Sequence, residues 1–280
     1  MPEPSDIRLL VVDIDGTIAG ESNQISPAVK QAIRAVQDRG IEVAIATGRM
    51  FRSALRFYED IGSTLPLMAY QGALIQDPAD GTVHQHLSVS AKVAAQLLDY
   101  LEDVETQLPG DHPLSIHFYL NDQLYVREIT AETEAYSARS GIEPIAVGDL
   151  RNTLDQEPTK ILALSQDTAF INQLLSSLRE RYTPAELYFT TSVETFFEAA
   201  HPLVNKGLAV RYLAEEVLNM RPDQVMAIGD NFNDVEMLEY AGLGVAMGNA
   251  PAVVQAFADW VAPTVEEDGV AIALEKWLLS

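Results

Sequence analysis

The chain has 280 residues, 48% of them hydrophobic, so it can bury a substantial core as one large domain or two smaller ones. Its formal net charge of −23 predicts repulsion from the phosphate backbone of nucleic acids and from anionic membrane surfaces. It contains no cysteine, which excludes disulfides, thiolate metal sites and a cysteine nucleophile and suits a cytoplasmic location.

The N-terminal segment predicts two successive strand–helix units. Leu9 to Val12 is a nearly continuous apolar run, typical of a strand covered on both faces of a parallel sheet. Ser26-Pro27 then begins a stretch with apolar residues at helical spacing, which ends at Gly40. The pattern repeats with a strand at 41–46 and a helix at 51–60, and a third strand is predicted at 67–70.

The middle of the chain, from about residue 82 to residue 200, has a different pattern. Its segments are short, alternate in polarity and contain Tyr and Phe, which predicts strands with helices among them. The predicted helices are 90–105 and 168–181; the predicted strands are 82–87, 115–120, 123–127, 160–164, 187–191 and 195–199.

The strand–helix alternation returns near the C-terminus, with a helix at 206–218 and a strand at 225–228. Strands and helices alternate at both ends of the chain but not in its middle. The fold class predicted is therefore α/β: a Rossmann-like parallel-sheet core into which an α+β module is inserted. The predicted domains are 1–82 with 201–280 for the core and 83–200 for the inserted module.

Two carboxylates follow the first predicted strand, in Asp13-Ile14-Asp15-Gly16-Thr17. They lie at the carboxyl end of that strand, where open α/β sheets bind ligands. One carboxylate can attack phosphorus to give an aspartyl phosphate, while the other protonates the leaving alkoxide and later activates water. Taken alone, the segment is equally consistent with an acidic turn bent at Gly16.

Two more carboxylates, Asp230 and Asp234, follow the strand at 225–228 and should reach the same sheet edge. Hard oxygen ligands and the lack of cysteine favour Mg²⁺, with Ca²⁺ the weaker alternative. An EF-hand loop is not expected at 230–239, because its central glycine is missing.

Thr47 and Lys206 supply further groups suited to phosphoryl transfer. Thr47-Gly48 ends the second strand and can offer a hydroxyl and backbone amides to a phosphoryl oxygen, although an N-cap role for Thr47 is equally consistent with the local sequence. Lys206 begins a helix, where the helix dipole does not favour a cation. A lysine at this position would be explained by a bound ligand or by neighbouring acids, and the alternative is an ordinary surface lysine. The combination favours the functional interpretation, with the lysine offsetting charge on the equatorial oxygens.

Four ordered motifs in this sequence resemble those of haloacid dehalogenase phosphatases. They are Asp13-x-Asp15-Gly16-Thr17, Thr47-Gly48-Arg49, Lys206 and Gly229-Asp230-x-x-Asn233-Asp234. Together with segments 247–250 and 267–270, they resemble the Cof-type subfamily, which carries a large α+β cap between the second and third motifs. Two segments depart from the subfamily pattern: Tyr70-Gln71-Gly72 and His201-Pro202.

The resemblance implies a role for each matching residue. Asp13 would be the nucleophile and a metal ligand, and Asp15 the acid/base and a metal ligand through its backbone carbonyl. Asp230 would be a third metal ligand, and Asp234 would support the metal site. The transferred phosphoryl group would contact the Ile14 amide, Thr47, Gly48, Lys206 and Asn233.

The expected function is Mg²⁺-dependent hydrolysis of small phosphorylated metabolites such as sugar phosphates, flavin mononucleotide or pyridoxal phosphate. A phosphomutase and a phospho-accepting signalling module remain alternatives, although Asp15 argues for rapid turnover rather than a persistent phosphoenzyme. A monomer or weak homo-oligomer is expected, with no nucleic-acid or membrane partner. The N-terminal residues and the lack of long apolar runs predict neither export nor membrane insertion.

The remaining histidines and aromatic residues are not expected to take part in chemistry. The histidines show no ligand pattern on a helix, so surface or hinge positions are expected for His84, His86, His112, His117 and His201. The aromatic residues of the inserted module alternate with apolar neighbours, which favours a packed sheet over a base-stacking platform.

Overall fold

A five-stranded sheet forms the centre of one unit in the computed structural model, which describes residues 6–106, 114–190 and 195–280. All its neighbouring strands are parallel, so the predicted parallel α/β core is confirmed. In spatial order the strands are β14 (Trp260–Val261), β13 (Leu243–Ala246), β12 (Val225–Gly229), β1 (Leu9–Val12) and β2 (Glu42–Ile45).

Helices cover both faces of this sheet, as the apolar run of β1 predicts. Leu10 and Val12 pack into the cluster that contains α1 (Pro27–Asp38), α2 (Phe51–Ile61) and α9 (Gly269–Leu274). Leu9 and Val11 face the other cluster, with α6 (Lys206–Arg211), α7 (Val235–Tyr240) and α8 (Ala252–Gln255). Two of these helices continue as π-helical segments, α6 through Tyr212–Val217 and α9 through Glu275–Leu279.

The helix boundaries follow the local signals in the sequence. The Ser26 hydroxyl accepts a hydrogen bond from the Val29 amide and caps α1, with Pro27 as its first residue. Helix α2 ends at Gly62 in the left-handed conformation, with φ of 65°. The predicted helix at 206–218 is present, with a π-helical second half that the pattern does not show.

A small three-stranded sheet follows α2. Its strands are β3 (Leu67–Ala69), β4 (Leu74–Gln76) and β5 (Val83–His86), and β3 and β4 pair antiparallel. A parallel bridge between Ala46 and Met68 links β3 to the end of β2. The third predicted strand is therefore present, and its turn at 70–72 lies near the carboxyl end of β2.

The second compact unit spans 86–204, and the first comprises the residues on either side of it. The sheet of the second unit has six strands and is antiparallel, except that Gln123–Val126 and Pro144–Ala146 pair in parallel. The spatial order is β10 (Tyr188–Thr190), β11 (Phe196–Ala200), β9 (Lys160–Leu164), β6 (Ser115–Leu120), β7 (Gln123–Val126) and β8 (Pro144–Ala146). Its helices are α3 (Ala91–Glu105), α4 (Ala131–Ser140) and α5 (Thr168–Arg181). The predicted boundaries, after residues 82 and 200, lie a few residues before the changes between the units.

Most elements of the inserted segment are where the sequence places them. Each predicted strand segment contains a strand, although Thr191, at the end of one prediction, lies outside the described residues. Helix α4 and strand β8 were not predicted; α4 buries only Thr133, so its apolar stripe is too weak to recognise. Among the described residues, no helix is both long and apolar enough to cross a membrane.

The side chain of His117 corrects one expectation. It is fully buried on β6, where its ring hydrogen-bonds to Ser115 and Thr133, so a surface or hinge position is wrong for this histidine. The aromatic residues do pack within the sheet, since Phe118 and Tyr119 are both buried. His112 lies outside the described residues.

Candidate active site

Three neighbouring strands end beside one another at the carboxyl edge of the parallel sheet. The register pairs Val12 of β1 with Ile45 of β2 and with Ile228 of β12. Asp13 continues the ladder, since its amide donates to the Ile228 carbonyl at 3.0 Å. Because all three strands point the same way, the residues that follow them come together at one edge.

The carboxylates of Asp13, Asp230 and Asp234 form an acidic cluster, with one oxygen of each within 4.8 Å of the others. A tight turn brings Asp234 back to the end of β12, because its Oδ2 accepts hydrogen bonds from the amides of Asp230 and Asn231 at 2.9 and 3.0 Å. The structure therefore brings together three of the four predicted metal-site residues through their side chains. The fourth, Asp15, lies outside this cluster.

Lys206 enters the acidic cluster from the first turn of α6. Its Nζ lies 2.7 Å from Asp13 Oδ1 and 2.5 Å from Asp234 Oδ1, and its side chain is completely buried. The Asn205 side chain caps this helix by accepting from the Leu208 amide at 2.7 Å. The surface-lysine alternative is therefore wrong, and neighbouring acids explain the position.

The electrostatics of this cluster suit a divalent cation. Three carboxylates and one ammonium group leave a net charge of −2 when all are ionised. Burial raises the pKa of Asp13 to about 7 and that of Asp230 to about 8, against the opposing effect of Lys206 and with the help of the neighbouring carboxylates. Burial alone would lower the pKa of Lys206, but Asp13 and Asp234 outweigh it and raise that pKa. Because hard oxygen donors and uncompensated charge are what Mg²⁺ requires, the residues fit this ion.

The turn after β1 packs directly against Asp230. Gly16 has φ of 77°, and a Cβ atom there would stand 2.1 Å from Asp230 Oδ2, so the position requires glycine. Asn249 holds the same region together, with Nδ2 donating to the Gly16 carbonyl at 2.9 Å and to Asp230 Oδ2 at 3.1 Å. Sequence reasoning gave Asn249 no role, although it lies in a segment that carries the family resemblance.

Asp15 is held by Arg49 instead of by the acidic cluster. Arg49 donates through Nε and Nη2 to the two carboxylate oxygens of Asp15, each at 2.7 Å, and Nη2 also donates to Asn23 Oδ1. The Arg49 side chain is 9% exposed and that of Asp15 is 39% exposed. Arg49 appeared in the sequence only as part of a motif, with no role, and Asn23 was missed. Separations of 34 positions between Arg49 and Asp15 and of 26 between Arg49 and Asn23 leave no local pattern.

The remaining predicted residues surround the ends of β1 and β2. Thr47 is buried, and its hydroxyl accepts from the Arg49 amide at 3.1 Å. The N-cap of α2 is Met50, so the N-cap alternative for Thr47 is wrong. Ile14 lies between Asp13 and Asp15, and its carbonyl closes the turn by accepting from the Ala19 amide at 2.9 Å.

Asn233 and Gln71 meet beside Gly48. Asn233 Nδ2 donates to Gln71 Oε1 at 3.0 Å, and both side chains are buried. A Cβ atom on Gly48 would lie 2.5 Å from Gln71 Nε2, so the Gln71 carboxamide lies directly against this glycine. Gln71 was noted in the sequence only as a departure from the subfamily pattern.

Comparisons with known proteins extend these observations to the whole chain. Residues 10–274 match the family model for haloacid dehalogenase-like hydrolases. The chain is 31% identical over 292 residues to the phosphatase YwpJ of Bacillus subtilis, covering 97% of this chain and 100% of that relative. It is 28% identical to the 5-amino-6-(5-phospho-D-ribitylamino)uracil phosphatase YitU of the same organism, covering 96% and 97%. Among solved structures, a haloacid dehalogenase-like hydrolase from B. subtilis superposes with a TM-score of 0.84 at 26% identity, covering 97% and 100%.

Proposed function

The chain belongs to the haloacid dehalogenase-like hydrolases and is a Cof-type phosphatase of phosphorylated small molecules, and we propose that it works with Mg²⁺ through an aspartyl-phosphate intermediate. The observation that carries the proposal is the contact between Lys206 Nζ and Asp13 Oδ1 at 2.7 Å, inside the acidic cluster. A buried carboxylate directed by an ammonium group, beside a cation site, is suited to attack a phosphoryl group.

In the first half of the reaction, Asp13 is the nucleophile. One of its carboxylate oxygens bonds to phosphorus as the bond from phosphorus to the ester oxygen breaks, and Asp15 donates a proton to the leaving alkoxide. In the second half, Asp15 takes a proton from water, which attacks phosphorus and releases phosphate and the Asp13 carboxylate. The Asp15 carboxylate is partly exposed while Asp13 is buried, so both the leaving group and a water molecule can reach it.

The acidic cluster would hold the cation through the carboxylates of Asp13, Asp230 and Asp234, and the family resemblance adds the Asp15 carbonyl. When bound, Mg²⁺ neutralises negative charge on the carboxylates and on the phosphoryl oxygens. The raised pKa of Asp230 supports this assignment, because burial beside other carboxylates makes an uncompensated charge unfavourable there.

The phosphoryl oxygens would be bound by the Thr47 hydroxyl, the amides of Ile14 and Gly48, and the side chains of Lys206 and Asn233. Fixed donors of this kind stabilise charge in the transition state without reorganising, and each is worth a factor of about 10²–10³ in rate in known enzymes. The supporting observation is burial: Thr47, Lys206 and Asn233 are all buried polar side chains at one sheet edge.

The proposed substrates are small phosphate monoesters. One relative is named for a phosphorylated ribitylaminouracil, which supports a polyol or sugar phosphate, and flavin mononucleotide and pyridoxal phosphate remain in the same class. We further propose a cytoplasmic monomer or weak homo-oligomer without nucleic-acid or membrane partners. The net charge of −23 supports the lack of these two kinds of partner, because it repels polyanionic surfaces.

The test is phosphate release from p-nitrophenyl phosphate and a panel of sugar phosphates, flavin mononucleotide and pyridoxal phosphate, with and without Mg²⁺. Asp13→Asn should abolish turnover, whereas Asp223→Asn, at an exposed aspartate paired with Arg221, should leave it unchanged. Intact-mass measurement after acid quench should detect a transient phosphoryl adduct in the wild type. Full activity of Asp13→Asn would overturn the proposal; transfer of the group to a second sugar hydroxyl, or a long-lived adduct, would favour the phosphomutase or signalling alternatives.

A further inference from the structure

The turn that follows β3 has an unusual backbone. Tyr70, Gln71 and Gly72 have φ of 52°, 60° and 90° in succession, although only the last is glycine. Non-glycine residues rarely take positive φ, and such strain persists where the surroundings enforce it, commonly at functional sites. The Gln71 amide donates to the Thr47 carbonyl at 2.8 Å, which fixes this turn against the end of β2.

The backbone of this turn directs the Gln71 carboxamide into the candidate active site. The residue is 1% exposed, its Oε1 accepts from Asn233 Nδ2 at 3.0 Å, and its Nε2 lies against Gly48. Among the described residues, Nε2 has no hydrogen-bond partner. A buried donor left unsatisfied is costly, so this atom points to a ligand that supplies an acceptor.

We propose that Gln71 is a substrate-binding residue whose Nε2 donates a hydrogen bond to an oxygen of the phosphoryl group. The inference rests on the proposed function, because it places the phosphoryl group beside Gly48 and Asn233, which are the two neighbours of the carboxamide. An uncharged donor suits this position, since Lys206 already supplies a positive charge beside Asp13 and Asp234. A hydrogen bond to a charged oxygen is stronger than one between neutral groups.

Two variants separate the hydrogen bond from the shape of the side chain. Gln71→Met keeps the length of the side chain and removes the donor. Gln71→Glu keeps an acceptor for Asn233 Nδ2 and places an anionic oxygen where Nε2 lies, so it should repel phosphate. Gln76 is the matched control: it lies five positions later, is partly exposed, and donates through Nε2 to the Gly81 carbonyl.

The experiment measures the affinity of the full chain for inorganic phosphate by calorimetry at fixed Mg²⁺, together with kcat and KM for p-nitrophenyl phosphate. Gln71→Met should weaken phosphate binding by about 10-fold or more, and Gln71→Glu by about 100-fold. The variants Gln76→Met and Gln76→Glu should stay within about twofold of the wild type. Thermal unfolding establishes that each variant is folded, and if Gln71→Glu does not fold, Gln71→Met decides the question.

Phosphate affinity and kinetics of Gln71→Met equal to those of the wild type would overturn the inference. Inclusion of Asp13→Asn in the same series keeps the two hypotheses apart. If Asp13→Asn is inactive and Gln71→Met is fully active, the proposed function stands and the inference fails. If Asp13→Asn remains active, the proposed function fails, and phosphate affinity still decides whether Gln71 binds the anion.

Discussion

The guanidinium of Arg49 holds the carboxylate of Asp15 through two parallel hydrogen bonds, from Nε to Oδ2 and from Nη2 to Oδ1, each 2.7 Å long. This bidentate contact fixes both oxygens, which a single donor cannot do. The Arg49 guanidinium also stacks on the Phe57 ring, with its central carbon 4.6 Å from the ring centre. The group proposed as acid and base therefore has one defined position, set by a residue that does not belong to the acidic cluster.

We expect Arg49→Lys to lower kcat for an alkyl phosphate by about 10- to 100-fold, because a lysine keeps the charge but cannot hold both oxygens of Asp15. The loss should be smaller for p-nitrophenyl phosphate, since nitrophenolate leaves without being protonated. Steady-state kinetics on both substrates measures the difference. Arg56→Lys is the control, because Arg56 stacks on the same Phe57 ring at 4.4 Å and a lysine there keeps the positive charge near Asp15. An equal loss on both substrates would contradict the positioning role.

Mg²⁺ should raise the melting temperature of the wild type, because an ion bound only by the folded state stabilises it by about 2.7 kcal/mol at 100 times its dissociation constant. Asp230→Asn should remove this shift, since it deletes one carboxylate of the acidic cluster. Asp15→Asn should keep most of the shift, because the Asp15 carboxylate is bonded to Arg49. Differential scanning fluorimetry with Mg²⁺ or chelator distinguishes the two variants. A shift lost equally in both would place the Asp15 carboxylate on the metal.

The sequence predicted those parts of the site that depend on strand ends. Asp13, Thr47 and Asp230 could be predicted because each follows an apolar run, which marks the carboxyl end of a strand. Parallel strands place these ends at the same edge of the sheet. Lys206 could be predicted because a positive charge at the start of a helix is unfavourable with respect to the helix dipole. Its ion pairs with the acidic cluster explain why a lysine stands there. These features are local in sequence even where the contacts are distant.

Other parts of the site could not be predicted, because they depend on long-range packing. The pairing of Arg49 with Asp15 spans 34 positions, and that of Asn233 with Gln71 spans 162. The left-handed turn at Tyr70-Gln71 contradicts the preference of both residues, so only the surrounding structure specifies it. Asn249 likewise joins the site through a hydrogen bond to Gly16, 233 positions away.

We expect Lys206→Met to destabilise the chain by about 3–5 kcal/mol in the presence of chelator, because it leaves buried carboxylates without their ammonium partner. Mg²⁺ should restore part of this loss, since the cation compensates the same charges, but turnover should stay low. Chemical denaturation with chelator and with Mg²⁺ provides the two free energies of unfolding.

The matched control for Lys206 is Lys160, a second buried lysine, whose Nζ lies 3.0 Å from Glu198 Oε2 in the inserted unit. Lys160→Met should also destabilise the protein, because Glu198 loses its ammonium partner. Mg²⁺ should not restore this loss, since Lys160 is not part of the acidic cluster. Equal rescue of both variants would indicate general stabilisation by the ion instead of binding at Asp13, Asp230 and Asp234.

His117 should make the stability of the protein fall in mild acid. Burial, with a smaller effect of Lys160, lowers the pKa of this histidine to about 3, whereas an unfolded histidine has a pKa of about 6.5. The unfolded chain therefore binds more protons between these values, so the stabilisation from a neutral His117 is complete above about pH 6.5 and is lost as the pH falls.

Urea unfolding of the wild type and of His117→Gln at pH 7.0 and pH 4.5 measures the effect. The wild type should lose on the order of 2 kcal/mol more than the variant over this interval. His84→Gln, at a partly exposed histidine on β5, should behave like the wild type, and an equal loss in wild type and His117→Gln would show that acid destabilisation originates elsewhere.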